Sequence, residues 1–556
     1  MRDASSSYLA LVRRRFLARP FARLALATLF ALAGVAVLAP LLANDRPLYL
    51  RAVDRAEFAA AQRTLPLVAR ELADALADPT QDAASAQDPA PARDTASIDR
   101  ALVALDLRLA TLGRAGGKSV DAALRPLGAR AHELAARAAR SRADPKAPGV
   151  EPDLASDAVA WRDELARAAA EFAARDDAHP NGLELVPATT YPAFAAVSTV
   201  DGLAIGAWGA AALALAAAAL ARRRIGGFAL LGATAAGALV GALACALGGD
   251  VGVALGTSQK LAIARGELVV ERAVFAPIPF GFGETNLGEA ERPPSWWRSA
   301  APAPSAPADG LAAAPLSVEV RYGERPLDDP WRHPFGTDSL GRDLVARCVW
   351  GARASLAIGA AAALAVACIG TLIGALAGHF RGRVDAVLSR VIEIVKCVPS
   401  FFLAVLALSL VRVDGATAAL AVAVVIAMFG WTEIARLVRA EFLRSAELDW
   451  VLAARAVGVS EARLVLVHVL PNALSPAIVA AVFAVAGAIL LESALSFLGV
   501  GLAEPVPSWG SVLGDAPNAR VWWTVLFPGL FLFVTLLSVH RAGEALREAL
   551  DPRSRA

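Results

Sequence analysis

The sequence predicts an all-α polytopic membrane protein that crosses the bilayer about eight times and carries a large helical insert in the aqueous phase. Hydrophobic residues make up 56% of the 556 residues, and the mean hydropathy of +0.51 is too high for an ordinary soluble protein. Charged residues still account for 19%, so a sizeable part of the chain must lie in water. The formal net charge of only +2 argues against a nucleic-acid-binding protein.

The first predicted span is residues 24–43, which provide the roughly 20 apolar residues that a helix needs to cross the hydrocarbon core. A cluster of arginines stands close before it: Arg13, Arg14, Arg15, Arg19 and Arg23. A signal peptide is the alternative, but its apolar region would be shorter, and Leu41–Ala43 makes a poor cleavage site. We therefore expect an uncleaved anchor with the amino terminus in the cytoplasm.

Residues 44–200 are different in character, since they are rich in Ala, Arg, Asp and Glu. Helical patterns separated by Pro-, Asp- and Ala-rich breaks occur near residues 54–77, 97–112, 118–141 and 154–175. We expect a helical extracytoplasmic insert. Within it, Gly113–Ser119 lacks the first Gly of a phosphate-binding loop, because Leu112 stands there, so a turn between two helices is the better interpretation.

Seven further apolar stretches predict spans at 202–221, 225–249, 354–378, 395–411, 415–432, 474–498 and 521–539. With eight spans, every basic connecting segment lies in the cytoplasm, and so do both termini. The span at 395–411 is the weakest. The predicted regions are an anchor (1–43), a helical insert (44–200), an additional hairpin (201–249), an extracytoplasmic linker with an entry helix (250–350) and a membrane core (351–556).

The most informative connecting segment is Asp449–Asn472, a polar helix–turn–helix pattern between two apolar stretches. Ala453 and Ala454 give the first helix a smooth face, and Gly458 can end that helix in a left-handed conformation. A second short helix over 461–470 is expected before Pro471, which suits the first turn of the next helix. Two short surface helices could enter a groove on a soluble partner, although a plain loop fits the composition equally well.

Four motifs follow one another in the carboxy-terminal half: FGTDSLGRD (335–343) with GARASL (351–356), the Ala-Ala, Gly and Leu-Pro pattern of 449–472, ESALSFLGVGLAEPVPSWGSVL (492–513), and FPGL (527–530) with REALDP (547–552). Together they resemble the ABC importer permeases of the dipeptide/oligopeptide/nickel family, specifically the C-type subunit. The resemblance is close over 330–553 and loose over 21–50. ANDRPLYLR (43–51) and FAPIPFGFGETN (275–286) look more like the microcin C–type branch.

The resemblance implies the transmembrane domain of a type I ABC importer for peptides or peptide-like solutes in the bacterial cytoplasmic (inner) membrane. A second homologous permease would complete the pathway, and an extracytoplasmic substrate-binding protein would deliver the substrate. Two cytoplasmic ABC ATPases would dock on a coupling loop at 437–471. ATP and Mg would bind to those partners, so this chain would hold no cofactor or metal and would not itself be an enzyme.

The resemblance also assigns roles to residues. The expected ATPase-coupling residues are Asp449, Ala453, Ala454, Gly458, His468, Leu470, Pro471 and Asn472. Leu452 stands where the family often has Glu, so coupling must rely on helix shape, with Asp449 or Glu447 as alternative acids. The residues expected to close an outer gate or contact the binding protein are Gly336, Thr337, Asp338, Gly341, Arg342 and Asp343. A capped entry helix, with Asp338 or Ser339 as N-cap, is compatible with both roles.

Two features remain open. Glu492 is the only acid deep in the span 474–498, where it could be functional or could reach water at the outer end. We interpret Trp509, Trp522 and Trp523 as interfacial anchors of the last span. The alternatives to a permease are a secondary transporter, which would need several buried charges in mid-membrane, and a non-transporting anchor, which would leave the 449–472 segment without a partner.

Overall fold

The computed structural model describes residues 14–77, 92–143, 154–178, 188–190, 192–195, 199–220, 268–297, 331–410, 416–502, 504–516 and 521–551, together with Val12, Thr234, Lys260 and Ile263. The amino-terminal half contains, in order, α1 (Pro20–Leu42), β1 (Tyr49–Asp54), α2 (Arg55–Ala77), α3 (Ala92–Ala143), α4 (Leu154–Ala178), β2 (Ala188–Thr190), α5 (Pro192–Ala195), α6 (Thr199–Leu220) and β3 (Leu268–Val274).

The carboxy-terminal half is helical throughout its described elements. These are α7 (Leu344–Phe380), α8 (Gly382–Cys397), α9 (Ser400–Leu410), α10 (Ala416–Gly430), α11 (Thr432–Ser445), α12 (Asp449–Ala456), α13 (Glu461–Arg463), α14 (Leu470–Phe497), α15 (Trp509–Gly514) and α16 (Trp522–Leu550). A π-helical turn over Leu464–Val469 joins α13 to α14.

Four helices among the described residues are long and apolar enough to cross a membrane: α1, α7, the continuous helix from α13 to the end of α14, and α16. Two bent pairs, α8 with α9 and α10 with α11, raise the number to six if each pair is one span. Helix α6 matches the predicted span at 202–221, but its apolar part is shorter. The predicted span at 225–249 lies outside the described residues, except for Thr234.

The predicted span at 395–411 is wrong in its bounds, because the helix breaks inside it. Helices α8 and α9 meet at an angle of 82° on either side of Val398 and Pro399. Proline disfavours helical backbone at the residue before it and cannot donate an N–H, so the break lies there. With only 11 residues, α9 is too short to cross the bilayer alone. The basic segment 379–390 was predicted as a turn. Only Arg381 and Gly382 have the positive φ angles of a turn, and the rest of the segment from Gly382 onward belongs to α8.

The insert forms a helical bundle with its own hydrophobic core. Leu65 and Leu72 of α2, Leu105 and Leu134 of α3, and Leu165 of α4 are fully buried in one cluster. The indole Nε1 of Trp161 in α4 donates a hydrogen bond to the carbonyl of Leu127 at 2.8 Å. The helical composition predicted from the sequence for this region is therefore confirmed.

Helix α3 doubles back on itself. The Nε2 atom of His132 lies 3.0 Å from the carboxylate of Asp106, whereas residues this far apart on a straight helix would be separated by about 39 Å. The reversal lies between Gly113 and Asp121, because a Cβ on Gly113 would stand 2.9 Å from the Oδ1 atom of Asp121. The prediction of a helix–helix turn at Gly113–Ser119 is thus confirmed.

An antiparallel sheet of order β2-β1-β3 corrects the all-α prediction. Leu50 pairs with Thr190 and Ala273, so β1 is central. The chain leaves β1 for the bundle and returns in β2, then leaves β2 for α6 and returns in β3. The sheet therefore holds together the ends of the two segments between its strands, the bundle between β1 and β2 and the segment with α6 between β2 and β3. Pairing partners more than a hundred residues apart leave no periodic signal in the sequence, which is why the strands were not predicted.

Small residues bring the membrane helices close together. Gly370, Gly374 and Gly378 lie on one face of α7, and a Cβ on any of them would stand 2.4–2.8 Å from an atom of the segment Trp431–Phe442. On another face, a Cβ on Gly359 would stand 2.3 Å from the Cγ1 atom of Ile489 in α14. Helix α7 therefore packs backbone-close on both α11 and α14, as membrane helices do where small residues meet.

Candidate functional site

Helix α12 is a short surface helix that ends at a glycine, as predicted. Gly458 has a φ of +85° and donates its N–H to the carbonyl of Arg455 at 2.9 Å. The N–H of Val459 bonds to the carbonyl of Ala454 at 3.1 Å. This backbone reversal favours glycine, because other residues are strained in the left-handed region. A Cβ on Gly458 would contact nothing within 4 Å, so conformation alone selects glycine here.

One side of α12 is anchored and the other is exposed. Val451 is 1% exposed and belongs to a cluster with Phe442, Leu464 and Val469. On the outward side, Leu452 is 52% exposed and Val457 is 84% exposed. Ala453 is also exposed, and Ala454 is half-buried against the cluster. The helix thus presents apolar side chains to the outside while it is fixed from beneath.

The segment after Gly458 differs from its prediction. Glu461 starts α13 and accepts from the guanidinium of Arg455 at 2.9 Å, which closes the turn between the two helices. No separate second helix ends before Pro471, because α13 runs through the π-helical turn directly into α14. Pro471 lies in the first turn of α14, as predicted. The wide π turn accommodates a residue that has no N–H to donate to the preceding turn.

The remaining predicted coupling residues lie near the start of α14. Leu470 and His468 are half-buried, whereas Pro471 and Asn472 are exposed. Asn472 donates from Nδ2 to the carbonyl of His468 at 2.8 Å, which gives the turn an additional hydrogen bond. Asp449 is exposed in the first turn of α12, where a negative charge complements the helix dipole.

A cleft of about 770 Å³ lies beside this surface, between the ends of α11, α12, α14 and α16. Trp450 lines one side and Phe483 another, with Arg444 and Arg547 among the charged residues of the wall. The structure therefore brings the predicted coupling residues together around α12 and places the cleft next to them.

The second predicted group lies at the start of α7 and is buried in an ion network, which we call the arginine clamp (Asp338, Arg342, Arg347, Glu504 and Asp515). Asp338 and Arg347 are 0% exposed, and Arg342 is 4% exposed. Asp338 accepts from Arg342 Nε at 2.7 Å and lies 3.1 Å from Arg347 Nη1. Both arginines reach the loop that carries α15, where each contacts Glu504 and Asp515 at 2.7–3.1 Å.

The charges of the arginine clamp are unequal, since three carboxylates face two guanidinium groups. Burial of Asp515, together with the nearby charges of Glu504 and Asp338, outweighs the attraction of Arg342 and raises the pKa of Asp515 to about 6. Glu504 is half-exposed and can reach water. The clamp thus joins the beginning of α7 to the loop before α16.

A second network adjoins the clamp, and we call it the histidine cluster (Glu289, Arg332, His333 and Asp343). The Nδ1 and Nε2 atoms of His333 lie 2.8 Å from Asp343 and 3.1 Å from Glu289, so both nitrogens face carboxylates. Burial lowers the pKa of His333, but the hydrogen bonds and charges of these two acids outweigh it and raise the pKa above 6.5. Burial likewise opposes ionisation of Glu289, but His333 and Arg332 hold its pKa at about 2.

Asp343 is the N-cap of α7, which corrects the expectation of Asp338 or Ser339. Its Oδ2 atom accepts from the N–H of Ala346 at 2.8 Å. Asp338 instead closes a tight turn, since its Oδ1 atom accepts from the N–H groups of Leu340 and Arg342 at 2.9 Å each. This turn lies just before α7, which begins at Leu344, and is not part of the helix.

Two glycines and a threonine fit this segment against its neighbours. Gly341 has a φ of +71°, and a Cβ there would stand 1.8 Å from the carbonyl oxygen of Asn286. Gly336 has a φ of +81° and is packed against Arg292 and Trp523. Thr337 donates to the carbonyl of Glu289 at 2.5 Å. All six predicted residues of this group are thus brought together, and all six are buried.

Sequence reasoning missed Glu289, His333, Arg347, Glu504 and Asp515, which complete these networks. It also misassigned two tryptophans. Trp509 is 0% exposed and donates to the carbonyl of Cys348, and Trp523 is 6% exposed and donates to the carbonyl of Thr337. Both are therefore internal packing residues, not interfacial anchors. Glu492 does not reach water either, because it is 0% exposed.

The comparisons with known proteins point to one family. Residues 370–555 match the model of the family described as binding-protein-dependent transport system inner membrane component. The dipeptide transport system permease protein DppC of Alkalihalophilus pseudofirmus is 37% identical over 44% of this chain and 81% of its own length. The oligopeptide transport system permease proteins OppC of Bacillus subtilis and Escherichia coli are 32% and 43% identical, over 52% and 40% of this chain and 83% and 73% of their own lengths.

Proposed function

The chain belongs to the family of binding-protein-dependent transport system inner membrane components, and on that premise we propose that α12 couples its membrane helices to partner ATPases. The chain is a permease subunit of a binding-protein-dependent importer. In the proposal, a second permease completes the pathway, two cytoplasmic ABC ATPases bind ATP and Mg, and an extracytoplasmic protein delivers the substrate. This chain then needs no cofactor, metal or catalytic residue of its own.

The exposed apolar face of α12 is the observation that carries the coupling proposal. Leu452 in α12 and Val457 at its C-cap present exposed apolar side chains, while Val451 fixes the helix from its other side. Exposed apolar side chains on a short surface helix are suited to burial in a groove of a partner. Because Leu452 replaces the acid that the family often has, contact by shape and burial is the favoured mode here.

The arrangement of α12 also suggests how force would reach the membrane. Val451 packs against Phe442 at the end of α11 and against Leu464 and Val469 before α14. A push on α12 would therefore act on both helices at once. Helix α14 is 28 residues long, so it would carry a displacement over about 42 Å to the arginine clamp.

We assign the clamp end of α7 to the extracytoplasmic side and α12 to the cytoplasm. The basic segments around α12 and after Arg541 support this orientation through the positive-inside rule. The helical bundle then lies outside, both termini lie inside, and the complete chain crosses the membrane eight times. Residues 1–43, 44–200, 201–249, 250–350 and 351–556 keep the regional roles predicted from the sequence.

The segment Gly336–Asp343 is better suited to an outer gate than to direct contact with a binding protein. Asp338, Arg342 and Asp343 are each no more than 4% exposed, so a partner could not reach their charges without opening the networks. The arginine clamp instead joins α7 to the loop before α16 and would hold this end of the pathway in one arrangement.

Peptides or peptide-like solutes are the proposed substrates. The relatives named above are described as dipeptide and oligopeptide transport permeases. Uptake of labelled dipeptides and longer peptides into vesicles that contain the complete importer tests the class. Uptake that does not depend on ATP or on the binding protein would contradict it.

The coupling proposal is tested by co-purification of the permease with its ATPases. Val457→Asp places a charge on the proposed contact, and Gly458→Pro forbids the left-handed turn that ends α12. We expect each to reduce association and substrate-stimulated ATP hydrolysis at least about tenfold, since burying an unpaired charge and breaking the turn that ends α12 should each cost more than about 1.4 kcal/mol. Leu287→Asp is the matched control, because Leu287 is 74% exposed at the clamp end. Unchanged association in both α12 variants would refute the assignment.

A further inference from the structure

Glu492 is a fully buried acid that the coupling proposal does not use. It lies one turn before the end of α14 and is 0% exposed. Among the residues that the structure describes, no cation forms a salt bridge with it, and serine hydroxyls donate hydrogen bonds to its carboxyl group. A buried acid needs such partners, because burial without them costs several kcal/mol. The position and number of these hydroxyls indicate what the acid does.

Two serines connect Glu492 to the backbone of the loop that carries α15. Ser355 of α7 donates to Oε2 of Glu492 at 2.8 Å, and its hydroxyl oxygen accepts from the N–H of Trp509 at 3.3 Å. Ser496 of α14 donates to Oε1 at 2.8 Å and accepts from the N–H of Leu502 at 3.2 Å. Each hydroxyl therefore donates its proton to the carboxyl group and uses its oxygen to accept from one N–H of the loop.

We propose that Glu492 is a positioning residue, which orients Ser355 and Ser496 so that their oxygens hold the loop of residues 498–516 across the ends of α7 and α14. The carboxyl group is suited to this role, because each of its two oxygens faces one of the two serine hydroxyls. Each serine proton is then directed to Glu492, and the serine lone pairs remain available for the loop.

The same loop is held from its other side by the arginine clamp. Glu504 and Asp515 belong to the loop and meet Arg342 and Arg347. Between these two attachments the loop sits tightly on α14, since a Cβ on Gly510 would stand 2.2 Å from the carbonyl oxygen of Ser493. The ends of α7 and α14 and the loop thus form one unit. If the chain works in an importer as proposed above, that unit would move as a whole during transport. Only this last statement rests on the proposed function.

Glu492→Gln tests the role of the carboxyl group with almost no change in shape. The Gln side chain has one acceptor oxygen and one NH2 group, so one of the two serines must face a donor. That serine keeps its oxygen lone pairs, but its buried proton loses an acceptor. The hydrogen bond to the loop at that serine should weaken, while the rest of the packing stays in place.

Hydrogen–deuterium exchange at single amides, measured on the purified complete importer, reports the hydrogen bonds directly. We expect Ser355→Ala to speed exchange at Trp509 and Ser496→Ala to speed exchange at Leu502, each about tenfold, which corresponds to the net value of one hydrogen bond. Glu492→Gln should speed exchange at one or both amides by a similar factor. Ser538→Ala is the matched control, because Ser538 is a buried serine whose hydroxyl donates to the carbonyl of Val534 within α16.

Two results would overturn the proposal. The first is unchanged exchange at both loop amides in Glu492→Gln and in the two serine variants. The second is faster exchange that is spread equally over α7, α14 and α16, since that pattern means general destabilisation. Neither readout depends on transport. The coupling proposal is tested separately, by co-purification with the ATPases. If that test contradicts it, the exchange experiment still decides the role of Glu492.

Discussion

The Nη2 atom of Arg347 lies 2.7 Å from the Oδ2 atom of Asp515, although 168 residues separate the two positions in the sequence. Arg347 is fully buried, and its guanidinium also reaches Asp338 and Glu504. One side chain thus joins the first turn of α7 to the turn that precedes this helix and to the distant loop that carries α15. These contacts fix the start of α7 and the loop that carries α15 to each other.

Loss of Arg347 should destabilise the permease strongly. Arg347→Met removes the cation but keeps much of its volume, and it leaves the buried Asp338 with one cationic partner fewer. Removing one member of a buried ion pair costs about 3 kcal/mol or more. We expect a clear fall in the midpoint of thermal unfolding in detergent.

Arg390→Met is the matched control for this substitution. Arg390 pairs with Glu393 on the surface of α8 and is 80% exposed, so its loss should change stability by no more than about 0.5 kcal/mol. Combining Arg347→Met with Asp515→Asn should cost less than the sum of the two single changes. An additive double variant would show that the two residues are not energetically coupled.

The histidine cluster should make stability depend on pH. The pKa of His333 is raised on folding, so its protonated form contributes stability that is fully present below pH 6.5 and is lost as the pH rises through the folded-state pKa. The difference in unfolding midpoint between the wild type and His333→Gln should therefore be largest near pH 6 and should shrink at higher pH. His540→Gln, at an exposed site on α16, serves as the control. A difference that is constant with pH would contradict the assignment of a protonated His333.

Gly341 should tolerate no side chain. A Cβ there would stand 1.8 Å from the carbonyl oxygen of Asn286, and the φ of +71° is strained for any other residue. We expect Gly341→Ala to cost about 2–4 kcal/mol, since backbone strain and a clash with rigid main chain add. In Gly283→Ala, on the neighbouring segment, the new Cβ meets nothing within 4 Å, so stability should change little. Equal behaviour of the two variants in thermal unfolding would refute the close approach.

The bundle should be removable without loss of the permease. Ala52 of β1 pairs directly with Ala188 of β2 in antiparallel register, so residues 53–187 can be replaced by Asn-Gly, which closes a two-residue hairpin. The shortened protein should insert in the membrane and keep its association with the ATPases. A one-residue linker at the same place should perform worse, because it shifts the register. Failure of both shortened proteins to fold would mean that the bundle supports the core.

Local signals made the α12 surface predictable from the sequence. Gly458 ends α12 because glycine adopts the left-handed conformation readily. Pro471 lies in the first turn of α14, a position that suits proline. Both signals involve only residues that are close in the sequence. The break between α8 and α9 at Pro399 had an equally local cause. It was missed because hydropathy summed over a window hides a single proline.

The partners in the two ion networks could not be predicted, because they meet only through the tertiary fold. Nothing near Asp338 in the sequence indicates Glu504 or Asp515, and His333 gives no sign that Glu289 will face it. Strand β1 was missed for a related reason, since its partners β2 and β3 lie far along the chain. Trp509 and Trp523 showed the opposite error. Their position beside a span suggested the interface, whereas the fold buries them.

The arginine clamp also constrains the order of events during biosynthesis. Arg347 leaves the ribosome 168 residues ahead of Asp515, which at ordinary elongation rates is an interval of about 8–34 s. During that time the buried cation has Asp338 beside it, but the acids of the distant loop do not yet exist. Helix α7 must therefore wait in the membrane with an incomplete set of ionic partners. A nascent chain that is stalled before residue 515 should be a preferred target of membrane quality-control proteases.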